Sequence, residues 1–198
     1  MRSWPASAVK SLAKPNAGRK PALVEAGGGE GVRILGVDPG LRHTGWGVIE
    51  ARGNQLSFIS AGVIEPDPKA PMSERLRQLF ESVCDIVSAQ SPQECAIEES
   101  FVNKNPTSTL KLGHARAAAM LAPAIASLPV FEYKPNLVKK SVVGAGHAEK
   151  AQVTAMIKVL LPGSKLETKD AADALAVAVC HAHHRATSRR TAAARGAL

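Results

Sequence analysis

VRILGVDPGLRHTGWGVIEARGNQLSFISAGVIE, residues 32–65, decides the fold. Its opening, VRILGVD, is a continuous apolar run of the kind a buried strand needs. HTGWGVIEA (43–51) and QLSFISAGVIE (55–65) alternate apolar with polar residues, the period-2 pattern of two more strands. RGN at 52–54 is a hairpin signal between them, so the stretch predicts a three-stranded antiparallel meander.

Outward from the meander, strands and helices alternate. After the Pro-rich loop 66–71, SERLRQLFESVCDIVSAQ (73–90) carries a helical stripe of Leu76, Leu79, Phe80, Val83, Ile86 and Val87, with Ser73 as the expected N-cap. ECAIEE (94–99) reads as a fourth strand. TSTLKLGHARAAAMLAPAIASL (107–128) reads as an Ala-rich helix kinked or ended near Pro123, and PVFEY (129–133) as a fifth strand. NLVKKSVV (136–143), EKAQVTAMIKVLL (149–161) and DAADALAVAVCHAHH (170–184) complete the chain as helices. This order predicts an α/β domain over residues 32–185, with a mixed five-stranded sheet flanked by helices. Residues 1–31, which mix Pro, Ala and Lys with a GGGEG run, read as a disordered basic extension, and residues 186–198 as a disordered basic tail.

Charge follows the same division. The chain carries +8 overall, yet the first 22 residues hold five Lys/Arg and no acid, and residues 185–198 hold four more. The body between them has sixteen basic against seventeen acidic residues, so it must recognise any nucleic acid through local patches. Cys84, Cys95 and Cys180 match no zinc or redox spacing, which suits a reducing compartment. The N-terminus lacks a continuous apolar signal core, and the uncharged stretch Ala117–Phe131 falls short of the ~20 residues of a membrane span. A cytoplasmic location is expected; an organellar transit peptide in residues 1–31 is the minor alternative.

Five acids sit oddly. Asp38 ends the first strand where the apolar run breaks into Pro-Gly, and Glu98 and Glu99 end the fourth. Asp170 and Asp173 open an otherwise greasy helix. Their i, i+3 spacing puts both on one helix face. Asp170 could serve the helix dipole behind a Thr168 N-cap, but Asp173 lies beyond the first turn on a helix apolar enough to be buried. Ligands of open α/β sheets gather at strand ends, and Asp38 and Glu98 emerge together there if their strands are parallel neighbours. Strand alternation sends Glu98 and Glu99 to opposite faces. Packed carboxylates repel unless cations join them, and an all-oxygen set without paired Cys or His suits Mg²⁺ better than zinc. Two such ions can activate a water and stabilise the leaving oxygen of a phosphodiester.

RILGVDPGLRHTGWGVIE, AIEESFVNKNPTSTLKLGHARAAA, VFEY followed by VKKSVVGAGHAEKAQV, and DAADALAVAVCHAHH together resemble the bacterial RuvC family of Holliday junction resolvases, in order and spacing, over residues 32–185. The resemblance implies a ribonuclease-H-like fold and a homodimer that nicks two opposing strands of a four-way DNA junction with divalent metal. It places the catalytic acids at Asp38, Glu98, Asp170 and Asp173, a base-stacking aromatic at Phe101, and functional lysines at Lys139 and Lys150. It also implies a RuvA–RuvB branch-migration partner. Two Mg²⁺ per site are expected, with Mn²⁺ as an alternative, and the products would be a 5′-phosphate and a 3′-hydroxyl. Over residues 1–31 the resemblance says nothing.

Other features fit around this reading. Residues 134–158 hold Lys134, Lys139, Lys140, Lys150 and Lys158 against Glu149 alone, and VVGAGHAEK could bring a helix start up to a phosphate. Lys104 follows Phe101 in a polar loop and, with Lys140, joins the candidate DNA contacts. The 107–127 helix is apolar on every side, which suits a dimer interface. His181, His183 and His184 read as cations favoured at a helix C-terminus rather than as a metal tract. Two other functions compete: a non-catalytic junction-binding module, and a fragment of an actin-like phosphotransferase suggested by DPGLRHTGWGV.

Overall fold

A computed structural model describes residues 31–99, 105–164 and 166–196, with side chains as far as Arg185. The extension 1–30 and the candidate DNA contacts Phe101 and Lys104 lie outside the described residues.

The meander forms as predicted. β1 (Val32–Asp38) pairs antiparallel with β2 (Thr44–Arg52), and β2 with β3 (Gln55–Ile64). Gly53 and Asn54 make the turn between β2 and β3, and Gly53 takes φ of +59°, the left-handed value a two-residue hairpin demands. β4 (Glu94–Glu98) and β5 (Val130–Tyr133) add in parallel on the other side of β1, giving the order β3-β2-β1-β4-β5. The five-stranded mixed sheet is therefore the one the sequence implies.

Five helices complete the fold: α1 (Met72–Gln90), α2 (Pro106–Ile125), α3 (Pro135–Val143), α4 (Lys150–Leu160) and α5 (Lys169–Gly196). α1 starts earlier than predicted. Pro71 occupies the cap position at φ −55° without a side-chain cap bond, so Ser73 lies inside the first turn. Proline's locked φ turns the chain into the helix and leaves the serine no capping role. α2 is capped by Asn105, whose side chain accepts from the Thr107 and Ser108 N–H groups, and it ends two residues beyond Pro123. α5 continues to Gly196, through the stretch expected to be a disordered tail; its Ala- and Arg-rich composition favours helix.

The sheet divides the core. Ile34, Ile49 and Ala96 face α5, packing with Leu175, Ala176, Val177 and Cys180. Leu35, Val37, Val48, Cys95 and Ile97 face the opposite layer, meeting Ala119 of α2 and Ile86 and Val87 of α1. α3 and α4 lie on the α5 side, burying Val138, Val142, Val153 and Ile157. No described helix is long and apolar enough to cross a membrane.

Candidate active site

Two strand ends and one helix start build the site. Val37 stands opposite Ile97 in the parallel β1–β4 pair, so Asp38 and Glu98 leave the sheet side by side at one edge. Side chains alternate along a strand. Asp38 thus shares the α5 face with Ile34, and Glu98 shares it with Ala96, while Glu99 follows Cys95 and Ile97 to the other side. Of the two adjacent glutamates, Glu98 is the one beside Asp38.

α5 presents its acids over that edge. Thr168 caps the helix, its Oγ1 accepting from the Ala171 N–H at 3.2 Å, which starts the helix just before Asp170. Three glycines let the helix approach the sheet closely. A β-carbon on Gly36 would overlap the Ala174 carbonyl, one on Gly45 the Asp170 carbonyl, and one on Gly47 the Leu175 side chain. As a result Asp38, Asp170 and Asp173 each bring an oxygen within 4.8 Å of the others. Glu98 is joined to this trio through a hydrogen bond to Asp38.

Electrostatics inside the cluster are unfavourable for four bare charges. Burial raises Asp38 to about 6, with the Asp173 charge adding to the rise and the Glu98 hydrogen bond opposing it. Burial raises Glu98 further, to about 8, aided by the neighbouring Asp38 charge. Burial and mutual repulsion thus push both carboxyls of the pair toward their protonated forms when no cation joins them. Asp173 instead takes a cation from the protein: Lys150 Nζ lies 2.7 Å from its Oδ2. That hydrogen bond raises the Lys150 ammonium above its ordinary value. Convergent, partly buried oxygen ligands that recruit a proton and an ammonium fit a hard divalent cation. Asp38, Asp170 and Asp173 would hold it, with Glu98 alongside.

The remaining predicted residues fall into separate groups. Lys150 opens α4 beside the acids, behind the N-cap Glu149, which forms a capping box with Gln152. Lys139 is half-buried and Lys140 exposed on α3, and among the described residues neither makes an ion pair. The histidines need a correction. Because α5 runs on past them, they do not sit at a helix C-terminus. His181 is 2% exposed, with Nδ1 2.7 Å from the Tyr133 hydroxyl and Nε2 2.7 Å from Glu94. Arg185 Nε donates to both Glu94 oxygens, His183 lies against Ser141, and His184 stacks on Tyr133. Glu94 is two residues before Ala96 on the α5 face, a placement that strand parity makes legible once the register is known.

Comparison with known proteins agrees with this geometry. The family model described as crossover junction endodeoxyribonuclease RuvC matches residues 34–181. The protein of that name from Maricaulis maris is 64% identical over 163 residues, covering 82% of this chain and 98% of its own. The Azorhizobium caulinodans protein of the same name is 60% identical over 154 residues, covering 78% and 91%. Among solved structures, Thermus thermophilus RuvC in complex with Holliday junction substrate superposes with a TM-score of 0.74 at 30% identity, covering 79% of this chain and 96% of that one. The yeast mitochondrial Holliday junction resolvase Ydc2 shares the fold at 14% identity, with a TM-score of 0.60 over 84% and 85% of the two chains. A family match over residues 34–181, with relatives this similar over nearly their full length, shows that the chain belongs to the RuvC family.

Proposed function

We propose that this protein is a structure-selective endonuclease that resolves Holliday junctions by paired, symmetric nicks, acting in recombination and repair. The carrying observation is the convergence of Asp38, Asp170 and Asp173 at a sheet edge with Glu98, in a fold whose Thermus relative is seen in complex with a junction.

Asp38, Glu98, Asp170 and Asp173 would hold two divalent cations, Mg²⁺ by preference. Those ions would supply charge stabilisation and a reactive water at a phosphodiester. The chain's own part is positional. Asp38 is anchored in the central strand, the most rigid element of the sheet, and Asp170 and Asp173 on a helix pressed against it through glycines. Glu98 would serve as a ligand in its deprotonated form. Hydrolysis adds water across the P–O3′ bond, leaving the new oxygen on a 5′-phosphate and a proton on the 3′-hydroxyl. Lys139, Lys140 and Lys150, together with Phe101 and Lys104, would hold the backbone and an unstacked base.

Paired nicks require two sites. α2 leaves a stripe exposed at helical spacing, Leu110, His114, Leu121 and Ile125, with Leu110 65% and Leu121 52% accessible, while Ala115, Ala119 and Ala122 face the core. Such a stripe suits a two-fold interface between copies of this chain. Contact with a RuvA–RuvB motor is carried over from the family resemblance alone.

The deciding experiment incubates a mobile four-way junction with Mg²⁺ and compares wild type with Asp38→Asn and Asp173→Asn. Symmetric, ligatable nicks from wild type and none from either variant are expected. A junction that is bound but left intact by wild type would establish the competing binding-module function instead.

A further inference from the structure

The β1–β2 connection, Pro39–His43, crosses the sheet edge that carries the acids, since Asp38 is paired with Gly45 at its base. It is short, yet unusually constrained. Thr44 is fully buried, and its hydroxyl both donates to the Gly40 carbonyl at 2.6 Å and accepts from the Gly40 N–H at 3.1 Å. A β-carbon on Gly40 would overlap the His43 carbonyl, so only glycine allows the turn to close this tightly. From α1, Arg75 donates to the Leu41 carbonyl at 2.8 Å. The main chain on either side of residue 42 is therefore fixed from three directions.

The cations around this edge are mostly engaged. Arg75 is spent on the loop itself, Lys150 on Asp173, and His43 on Glu65 at 3.0 Å. Arg42 is exposed at the crest of the loop and makes no ion pair or hydrogen bond among the described residues. The main chain that carries Arg42, four residues from Asp38, is already fixed, so only the side chain is ordered when it meets an anion, and its planar fork suits a phosphate.

We infer that Arg42 is a backbone-positioning residue, contacting a DNA phosphate next to the one cut at Asp38. The inference rests on the proposed nuclease function and adds to it a contact from the β1–β2 connection. A phosphate contact carries no sequence information. Its signature is a salt-dependent contribution to affinity that is the same for every junction sequence.

The test measures binding of the full chain to a synthetic four-way junction over a salt series, with chelator present so that nothing is cut. Arg42→Ala should weaken binding roughly three- to ten-fold at low salt and reduce the log–log salt slope by about one. Arg42→Lys should recover most of the slope. Arg52→Ala is the control for net charge. It removes the same charge from the far end of β2, about 27 Å away along the strand, and should leave affinity and slope unchanged. Equal effects of Arg42→Ala and Arg52→Ala, or no effect of Arg42→Ala, overturn the inference while the nuclease reading stands. If wild type shows no preference for the junction over linear duplex, the nuclease reading itself fails.

Discussion

The main-chain carbonyl of Asp170 occupies the space that a β-carbon on Gly45 would need. One acid of the cluster is thus set by direct contact between the start of α5 and the backbone of β2, with no side chain between them. Gly36 plays the same part beneath Ala174 and Ala178, one turn further along. Glycine in a central strand weakens it unless another backbone must come close. Here the backbone of α5 does.

Gly45→Ala should therefore damage the site more than the fold. Overpacking of this kind costs about 1–3 kcal/mol, and lifting the helix start moves Asp170 away from Asp38. The expected result is a modestly lower melting temperature with at least a tenfold loss of junction cleavage. Gly113→Ala on α2, where a β-carbon meets nothing, should raise stability by about 0.5–1 kcal/mol and serves as the comparison. Full cleavage by Gly45→Ala would show that the acids do not depend on this contact.

Much of this architecture is legible in the sequence alone. The period-2 runs over 43–51 and 55–65 specify the meander, and the apolar runs ending in Asp38 and Glu98 specify strands whose ends carry acids. Spacing alone puts Asp170 and Asp173 together. What the sequence concealed depends on tertiary register. The role of Gly36, Gly45 and Gly47 emerges only when α5 is laid across β1 and β2. Local sequence alone makes His181 a helix-end cation, because nothing local reveals that Glu94, far away in sequence, lies one layer below it. The capping failure at Ser73 is a local rule overridden by its neighbour, Pro71.

Lys150 should act on the cluster as a competitor for cations. Its ammonium holds an oxygen of Asp173 that a metal would also use. Lys150→Ala is expected to increase Mg²⁺ or Mn²⁺ affinity in calorimetric titration, while junction cleavage falls tenfold or more because the proposed phosphate contact of Lys150 is lost. Weaker metal binding in the variant would count against competition at Asp173.

The metal-free site should be sensitive to pH in a defined direction. Asp38 rises to about 6 and Glu98 to about 8, from ordinary values of 3.8 and 4.5, so between roughly pH 4 and 8 the folded chain binds more protons than the unfolded one. Stability with chelator present should accordingly fall as pH rises through that window. Divalent cations replace the proton, so they should raise the melting temperature more at pH 8 than at pH 5.5. Glu98→Gln should flatten the chelated profile. A melting temperature that climbs from pH 5.5 to 8 without metal, after correction for the rest of the chain with the Asp38→Asn/Glu98→Gln variant, would contradict the assignment.

The Tyr133–His181–Glu94–Arg185 chain should matter for stability and little for cleavage. With neutral imidazole, Nε2–H donates to Glu94 and Nδ1 accepts the Tyr133 hydroxyl, so each buried polar group has a partner. Burial alone would raise Glu94, but His181 and Arg185 together hold its carboxyl below the usual range. Removing the ring leaves a cavity against Phe131 and strands the Tyr133 hydroxyl, while Glu94 keeps Arg185 as its partner. His181→Ala should cost about 2–4 kcal/mol, and Tyr133→Phe about 1 kcal/mol, since one neutral hydrogen bond is lost. The combined variant should cost less than the sum, because the second change removes a hydroxyl the first has already orphaned. His181 lies two turns of α5 beyond Asp173, and the glycine contacts that set the acids are upstream of it. Cleavage by Tyr133→Phe, assayed well below its melting temperature, should therefore stay within about threefold of wild type. A large loss of turnover in a variant this well folded would mean that the network reaches the acids through the helix, making it a positioning element of the site rather than a clamp between α5 and the sheet.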